Sequence, residues 1–180
     1  MTADKKTEAT ILPSICDPDA LMRMCRLAET MPEGSFVEVG VFGGGSGQRL
    51  YEVAERQSRL LYLYDTFAGI PYKDDVDSHA VGDFCNRNFE AIADALPNAI
   101  VTIGVFPQSA QSMRLPIAFV HLDVDQYRSY KESVEYLEPL MASGGVMWFD
   151  DYGCTRGATK YLDEKFGKAM QSDGKFYMRF

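Results

Sequence analysis

Short, continuous apolar runs alternate with longer amphipathic segments along most of the chain. The apolar runs cover residues 35–40, 60–64, 100–106, 117–122 and 145–149. Runs of this length without polar alternation are typical of strands that are buried on both faces of a parallel sheet, with helices packed on each face. The pattern therefore predicts an α/β fold with a mostly parallel sheet.

The segments between these runs repeat their apolar residues at helical spacing. They predict helices over residues 18–30, 48–57, 83–96, 129–141 and 157–170. Asp17 before Pro18 matches a helix N-cap followed by proline at the first helical position. The pair Gly144 and Gly145 predicts the stop of the fourth helix. Residues 175–180 alternate apolar and polar types and predict a short C-terminal edge strand.

The first ten residues are polar and charged, and they predict a flexible tail ahead of one domain over residues 11–180. No apolar run approaches the roughly 20 residues that a membrane-spanning helix needs. The opening residues also do not match a signal peptide. We therefore expect a soluble cytoplasmic protein that has no membrane partner.

The composition narrows the class of partner. The chain has 180 residues and a formal net charge of −8, without the clustered lysines and arginines that phosphate contacts require. A small molecule is therefore a better expectation than a nucleic acid, and assembly into a homo-oligomer stays open. The four cysteines are scattered and only two histidines accompany them, which favours reduced structural thiols over disulfides or a zinc site.

A glycine-rich loop follows the first predicted strand, where an open parallel sheet binds its ligands. The loop lacks the G-x-G-x-x-G pattern of dinucleotide-binding folds. It carries an acid, Glu38, followed by G-x-x-x-G from Gly40 to Gly44, which is the form found in class I methyltransferases that bind S-adenosylmethionine. Asp65 ends the next strand, where a carboxylate can accept hydrogen bonds from ribose hydroxyls. This feature alone does not separate S-adenosylmethionine from a nicotinamide dinucleotide.

Acidic residues also close two later strands. Asp123 follows the strand over residues 117–122, and Asp150 and Asp151 follow the strand over residues 145–149. Carboxylates that converge at one sheet edge make the oxygen-rich site that Mg²⁺ prefers, and Mn²⁺ or Ca²⁺ would also fit. We therefore predict Asp123, Asp150 and Asp151 as ligands of a divalent metal ion.

Four stretches of the chain resemble the macrocin O-methyltransferase family, whose members methylate sugar hydroxyls of natural products with S-adenosylmethionine and a metal ion. They are FVEVGVFGGGS from Phe36, YDTFAGIP from Tyr64, HLDVDQY from His121 and SGGVMWFDDYG from Ser143. The four motifs occur in order and span about residues 35–160. The resemblance implies a class I methyltransferase fold, which is Rossmann-like.

The resemblance also implies roles for individual residues. Those implied to line the methionine part of the cofactor are Glu38, Gly40, Gly44 and Ser46. Asp65 would hold the ribose, and Thr66 and Phe67 would border the nucleoside. Ser109 falls where more distant, catechol-type relatives contact the adenine side. The metal positions of the family match the three aspartates that were predicted from charge.

The position that holds a candidate general base in some relatives has a different residue type in this chain. Catechol-type enzymes place a lysine three residues after the first metal aspartate, and some sugar methyltransferases place a histidine there. Here the position is Gln126, which cannot accept a proton near neutral pH. Deprotonation of the acceptor hydroxyl is therefore assigned to Asp123 or Asp125, with the alternative that Asp125 is only a helix N-cap.

The expected function is O-methylation of a hydroxyl on a sugar or another small natural product, with help from a divalent metal ion. Two alternatives stay open at this point. One is a nucleotide-dependent oxidoreductase on a related sheet, against which the failed G-x-G-x-x-G pattern counts. The other is a non-catalytic or regulatory module that binds S-adenosylmethionine without turnover.

Overall fold

A computed structural model describes residues 11–167 and 177–180 of the chain. Its strands form one six-stranded sheet in the order β3-β2-β1-β4-β5-β6. Their bounds are Ser35–Val39 for β1, Leu61–Asp65 for β2, Ala99–Ile103 for β3, Ile117–Leu122 for β4, Met141–Phe149 for β5 and Tyr177–Arg179 for β6. All neighbouring strands are parallel except β6, which pairs antiparallel with β5 at the edge. The predicted α/β class and the short edge strand are confirmed.

Five helices cover the sheet. Their bounds are Pro18–Ala28 for α1, Gly45–Arg56 for α2, Phe89–Ala95 for α3, Tyr127–Leu137 for α4 and Arg156–Phe166 for α5. The predicted start of α1 is confirmed, because the Asp17 side chain accepts a hydrogen bond from the backbone N–H of Ala20 and Pro18 is the first helical residue. Among the described helices, none is long and apolar enough to cross a membrane.

Two buried cores lie on opposite faces of the sheet. Alternate residues of β1 point to each side, so that Phe36 packs with α1, α2 and α3 whereas Val37 packs with α4 and α5. The central strands β1 and β4 are fully buried. This two-sided burial explains why their sequences are continuous apolar runs, and it leaves the strand ends as the place where polar side chains collect.

Of the predicted boundaries that differ from the structure, two differ for reasons that the backbone makes clear. Helix α3 begins at Phe89 rather than at residue 83, because Gly82 and Phe84 have positive φ angles that a right-handed helix does not accommodate. The predicted stop at Gly144 and Gly145 is also wrong. A 3₁₀ turn over Glu138–Leu140 ends α4 earlier, and both glycines lie within β5, where they exchange backbone hydrogen bonds with Phe180.

The predicted tail over residues 1–10, residues 168–170 of the predicted last helix and residues 175–176 of the predicted edge strand lie outside the described residues.

Candidate active site

A cavity of about 220 Å³ opens at the carboxyl edge of the sheet. One side of it is formed by Asp65, at the end of β2, and by Gly104 to Phe106, after β3. The other side is formed by Asp123, after β4, and by Asp150, after β5. The predicted strand-end acids therefore surround one space, as expected for the ligand crevice of an open parallel sheet.

Gly40 allows the end of β1 to pass against the backbone that follows β4. Its φ is +89°, and a Cβ at this position would lie 1.7 Å from the carbonyl oxygen of Asp123. Only glycine fits this position without moving the backbone. Gly40 lines the cavity and brings the glycine-rich loop next to the acidic residues.

Asp65 fastens the glycine-rich loop to the end of β2. Its Oδ2 accepts hydrogen bonds from the backbone N–H groups of Val41 at 2.7 Å and Phe42 at 2.8 Å, and its Oδ1 accepts one from Phe67 at 2.6 Å. A carboxylate has about four acceptor sites, so three backbone donors leave capacity for a ribose hydroxyl. The role of Asp65 in binding ribose stays a prediction, and its role in holding the loop was not predicted.

Three other residues that were predicted to bind the cofactor lie behind the cavity wall and do not line it. Glu38 is fully buried, and its Oε1 lies 2.8 Å from Nδ1 of His121. Gly44 precedes α2 with a positive φ and packs against Leu12. Ser46 is buried in the first turn of α2. The predicted contacts of these three residues with the cofactor stay predictions.

Of the remaining residues that were predicted to bind the cofactor, one lines the cavity and two do not. Thr66 lines the cavity, and its hydroxyl donates to the carbonyl of Gly69 at 2.6 Å. Phe67 is buried in the core, with its ring centroid 6.0 Å from that of Phe89. Ser109 lies beside Gly104 but not on the cavity surface. Phe42 and Phe84 do line the cavity, and the sequence analysis missed both as site residues.

The segment before α1 covers the glycine-rich loop from outside. The carbonyl of Pro13 accepts a hydrogen bond from the backbone N–H of Gly45 at 3.0 Å, and Oε1 of Gln48 accepts one from Leu12 at 2.9 Å. This packing carries Ile15 and Cys16 to the cavity, which they help to line.

Asp123, Asp150 and Cys16 form a compact group that we call the acidic centre. Each offers one ligand atom, and these atoms all lie within 4.8 Å of one another. The Cys16 thiol also donates to Oδ2 of Asp123 at 3.5 Å. The sequence predicted a reduced structural thiol at Cys16, and no local signal marks it as a site residue, because it lies 107 positions before its partner.

Asp151 is not part of this compact group. Its Oδ2 accepts hydrogen bonds from the backbone N–H groups of Val124 at 3.0 Å and Asp125 at 2.8 Å, and from the hydroxyl of Tyr130 at 2.9 Å. The carboxylate therefore holds the turn after β4 in place. Asp151 still lines the cavity, so its predicted role as a metal ligand stays a prediction.

A buried chain of charged groups leads from the sheet interior to the acidic centre. His121 is fully buried, with Nδ1 beside Glu38 and Nε2 3.6 Å from Oδ1 of Asp150. Burial by itself would lower the pKa of His121, but the two carboxylates outweigh it and raise this pKa well above its ordinary value. The imidazole therefore lies between two carboxylates, those of Glu38 and Asp150, which favour its protonated form.

The two aspartates of the acidic centre respond differently to burial. Burial raises the pKa of Asp123 well above its ordinary value, the charge of Asp151 raises it further, and His121 opposes both. Burial would also raise the pKa of Asp150, but the neighbouring His121 imidazole outweighs this and lowers it. Among the described residues that line the cavity there is no lysine or arginine. The centre therefore has more negative charge than its surroundings compensate.

Asp125 lies beside the acidic centre on a turn with an unusual backbone. Its φ is +58°, and its side chain lines the cavity. Burial, followed by the charge of Asp123, raises the pKa of Asp125 to about 7. Its Oδ1 lies 3.5 Å from Nε2 of His79, which belongs to the connection between β2 and α3. The assignment of the base to Asp123 or Asp125 stays a prediction, and the structure adds His79 as a neighbour of Asp125.

Comparison with known proteins identifies similar sequences. A family model described as Macrocin-O-methyltransferase (TylF) matches residues 22–171. A curated Streptomyces olivaceus protein, named 8-demethyl-8-(2,3-dimethoxy-alpha-L-rhamnosyl)-tetracenomycin-C 4'-O-methyltransferase, is 30% identical over 148 residues. The match covers 70% of this chain and 55% of that protein, so the chain spans about half the length of this curated relative.

Solved structures show the same architecture. The calicheamicin methyltransferase CalS11 matches with a TM-score of 0.70 and 18% identity, over 89% of this chain and 77% of that one. The O-methyltransferase NovP matches with a TM-score of 0.67 and 22% identity, over 88% of this chain and 78% of that one. At these identities the likeness concerns the fold, and it confirms the predicted class I methyltransferase architecture.

Proposed function

The chain belongs to the macrocin O-methyltransferase family, and from that premise we propose that it transfers the methyl group of S-adenosylmethionine to a sugar hydroxyl of a small natural product. The observation that carries the proposal is the juxtaposition of a loop-anchoring acid, Asp65, and the acidic centre across one cavity. Family membership favours methyl transfer over the oxidoreductase alternative. The name of the Streptomyces olivaceus relative suggests a rhamnose-type sugar as the acceptor.

The described residues fit the proposed cofactor. Gly40, Asp65 and Thr66 line the cavity on the side of β1 and β2. The remaining acceptor capacity of Asp65 suits ribose hydroxyls, and Phe106 adds an apolar surface that suits an adenine ring. When bound, S-adenosylmethionine supplies a methyl group that is activated by its sulfonium charge. The opposite side of the cavity is then left for the acceptor.

The acidic centre fits a divalent cation. Asp123 and Asp150 would hold it, and the Cys16 thiol is a third donor atom within reach. Two neighbouring carboxylates without a cationic side chain on the cavity surface are stabilised either by a shared proton or by a cation. A bound Mg²⁺ or similar ion would lower the pKa of the acceptor hydroxyl and orient it.

Asp125 takes the proton of the acceptor hydroxyl in the proposed reaction. The acceptor oxygen forms a bond to the methyl carbon while the bond between carbon and sulfur breaks, and its electron pair stays on sulfur. The hydroxyl proton passes to the carboxylate of Asp125, which lies on the cavity surface and is not one of the three residues of the acidic centre. The products are the methyl ether and S-adenosylhomocysteine.

The test is a methylation assay on purified protein with S-adenosylmethionine and Mg²⁺. The probes are 4-nitrophenyl α-L-rhamnopyranoside and TDP-rhamnose, and mass spectrometry detects the methyl ether. Isothermal titration measures cofactor binding in parallel. A methylated sugar that disappears with EDTA supports the proposal. If the protein binds the cofactor but methylates neither these probes nor a panel of other sugars and phenols, the result favours the non-catalytic module. If it does not bind the cofactor, both the methyltransferase proposal and the non-catalytic module are overturned.

A further inference from the structure

We propose that His79 is a positioning residue, which directs the carboxylate of Asp125 toward the acceptor hydroxyl. This inference rests on the proposed function, because it assigns Asp125 the role of base. Nothing in the sequence near His79 predicts this contact, since 46 positions of chain that include α3, β3 and β4 separate the two residues.

The His79 imidazole is held from three directions. Its Nε2 lies 3.5 Å from Oδ1 of Asp125, and its Nδ1 lies 3.9 Å from Oδ2 of Asp83. The ring also meets Phe84 edge to face, with the ring centroids 4.9 Å apart. The two carboxylates and the aromatic ring therefore flank the imidazole, and Nε2 is the ring nitrogen that lies beside the candidate base.

The loop that carries His79 is anchored by a buried carboxylate. Oδ1 of Asp77 accepts a hydrogen bond from the backbone N–H of Tyr127, at the start of α4, at 2.9 Å. Oδ2 of Asp77 accepts one from Asp74 at 2.8 Å. A Cβ on Gly157 would lie 2.0 Å from Oδ1 of Asp77, so the start of α5 also closes tightly over this carboxylate. These contacts of Asp77 hold the middle of the loop against the start of α4 and the start of α5.

Gln126 fixes the backbone of His79 itself. The Gln126 side chain is fully buried, and its Nε2 donates to the carbonyl of His79 at 3.1 Å and to that of Tyr72 at 3.4 Å. Gln126 directly follows Asp125 in the chain. Two adjacent residues therefore contact His79. The carboxylate of Asp125 lies beside its imidazole, and the side chain of Gln126 binds its backbone carbonyl. This gives a structural role to a residue that cannot itself serve as a base.

Asp125 needs an external partner to aim its side chain. Its backbone is fixed, because its N–H donates to Asp151 and its carbonyl accepts from the hydroxyl of Thr155 at 2.7 Å. Its carboxylate, however, lies near the like charges of Asp123 and Asp150, which repel it. The imidazole of His79 offers a hydrogen-bond donor on the other side. The donor and the repulsion together select the direction in which the carboxylate points.

The kinetic test compares His79→Ala and His79→Gln with the wild-type protein, on the probe that is methylated. We expect His79→Ala to lower kcat on the order of 10- to 100-fold, as loss of an orienting partner does in metal sites, with an unchanged KM for S-adenosylmethionine. His79→Gln should recover most of the activity, because its amide N–H can donate from the same place. In an Asp125→Asn background, His79→Ala should have almost no further effect.

The matched control is Val81→Ala, which changes an exposed residue of the same loop and should leave kcat as it is. An undiminished kcat in His79→Ala overturns the proposal. The proposal is also overturned if His79→Ala lowers kcat by the same factor in the Asp125→Asn background as in the wild-type protein. Such a result would show that His79 does not act through Asp125. A glutamine variant as inactive as the alanine variant also overturns positioning, because it shows that a titrating imidazole is required.

A second measurement does not depend on turnover. Crystal structures of His79→Ala and His79→Gln with S-adenosylhomocysteine should show the Asp125 carboxylate turned away or disordered in the first variant and retained in the second. An unmoved carboxylate in His79→Ala overturns the proposal even if no acceptor is ever found. Failure of the wild-type protein to bind or transfer would instead contradict the proposed function, so the two failures are distinguishable.

Discussion

Two groups of acids lie at the same edge of the sheet, and they are stabilised in opposite ways. Asp65 accepts three backbone hydrogen bonds and fastens two loops together. Asp123 and Asp150 lie close together, with the Cys16 thiol beside Asp123 and the His121 imidazole beside Asp150. The first arrangement is complete without a ligand, whereas the second has uncompensated charge. A carboxylate at a strand end can therefore be part of the scaffold or part of the chemistry, and its partners decide which.

The largest effect should come from the acidic centre. Asp150→Ala removes one of its two carboxylates and one of the two carboxylate neighbours of the buried His121 imidazole. We expect metal-dependent turnover to fall by at least about 100-fold, because preorganised electrostatic groups contribute on this scale, while binding of S-adenosylmethionine stays nearly unchanged. Turnover with and without Mg²⁺, together with isothermal titration of the cofactor, measures both quantities.

The matched control for this prediction is Asp94→Asn, on the exposed face of α3. It changes the net charge without touching the cavity, and it should behave as the wild-type protein does. Unchanged turnover in Asp150→Ala would contradict the assignment of the acidic centre to the reaction.

The next largest effect should come from Gly40, which brings the two acidic groups together. Gly40→Ala places a Cβ against the Asp123 carbonyl at a φ that disfavours alanine, and it should lower the free energy of unfolding by about 3 kcal/mol. Gly144→Ala is the control, because its φ is +82° but no atom lies within 4 Å of the added Cβ. It should cost about 1 kcal/mol, from the backbone conformation alone. Equal losses in urea unfolding would show that the close approach at Gly40 is unimportant.

Asp65 should affect the cofactor more than the chemistry. Asp65→Ala leaves three backbone donors without their acceptor, at about 1–3 kcal/mol for each one that water does not reach. We expect roughly tenfold weaker binding of S-adenosylmethionine, which corresponds to about 1.4 kcal/mol. Asp65→Asn keeps one acceptor oxygen and should be intermediate. If neither variant changes the affinity for S-adenosylmethionine, Asp65 only holds the loop and does not bind the cofactor.

Stability should depend on pH because the acids near the centre are buried. Burial and neighbouring carboxylates raise the pKa of Asp125 to about 7 and that of Asp151 to about 8. Between the ordinary aspartate value and these values the folded chain binds more protons than the unfolded chain, so stability falls as pH rises from about 4 to about 8. The raised pKa of His121 acts in the same direction above its ordinary value.

Thermal unfolding across this pH range measures the slope. Mg²⁺ at 100 times its dissociation constant should add about 2.7 kcal/mol at neutral pH, and less at pH 5, where protons compete for the same carboxylates. A stability that rises with pH in the absence of metal would contradict the view that these acids are destabilised by their surroundings.

The smallest effect should come from Asp17, whose side chain caps α1 and does not line the cavity. Asp17→Ala removes the side-chain cap of α1 and should cost about 1 kcal/mol, without an effect on cofactor affinity. For a chain of this size, the corresponding fall in Tm is about 2–4 °C. A change in cofactor affinity would indicate that α1 influences the cavity through the segment that contains Ile15 and Cys16.

The strands were predictable because a strand that is buried on both faces of the sheet is a continuous apolar run in the sequence. Strand β4 begins and ends at the predicted residues, and Asp123 follows it as expected. Helix α3 was predicted too long, because the positive φ angles at Gly82 and Phe84 depend on how that loop packs. The glycines of β5 were mistaken for a helix stop, since their pairing with Phe180 is a contact between distant parts of the chain.

By itself, the sequence determined the parallel α/β sheet and the edge at which acids collect, because apolar periodicity and strand ends are local properties of the chain. It also placed Asp123 and Asp150 near each other. Only the tertiary structure decided that Cys16 joins them, that the described hydrogen bonds of Asp151 serve the adjacent turn, and that His79 meets Asp125. Side-chain partners of this kind are selected by the packing of segments far apart in the chain, which no local pattern records.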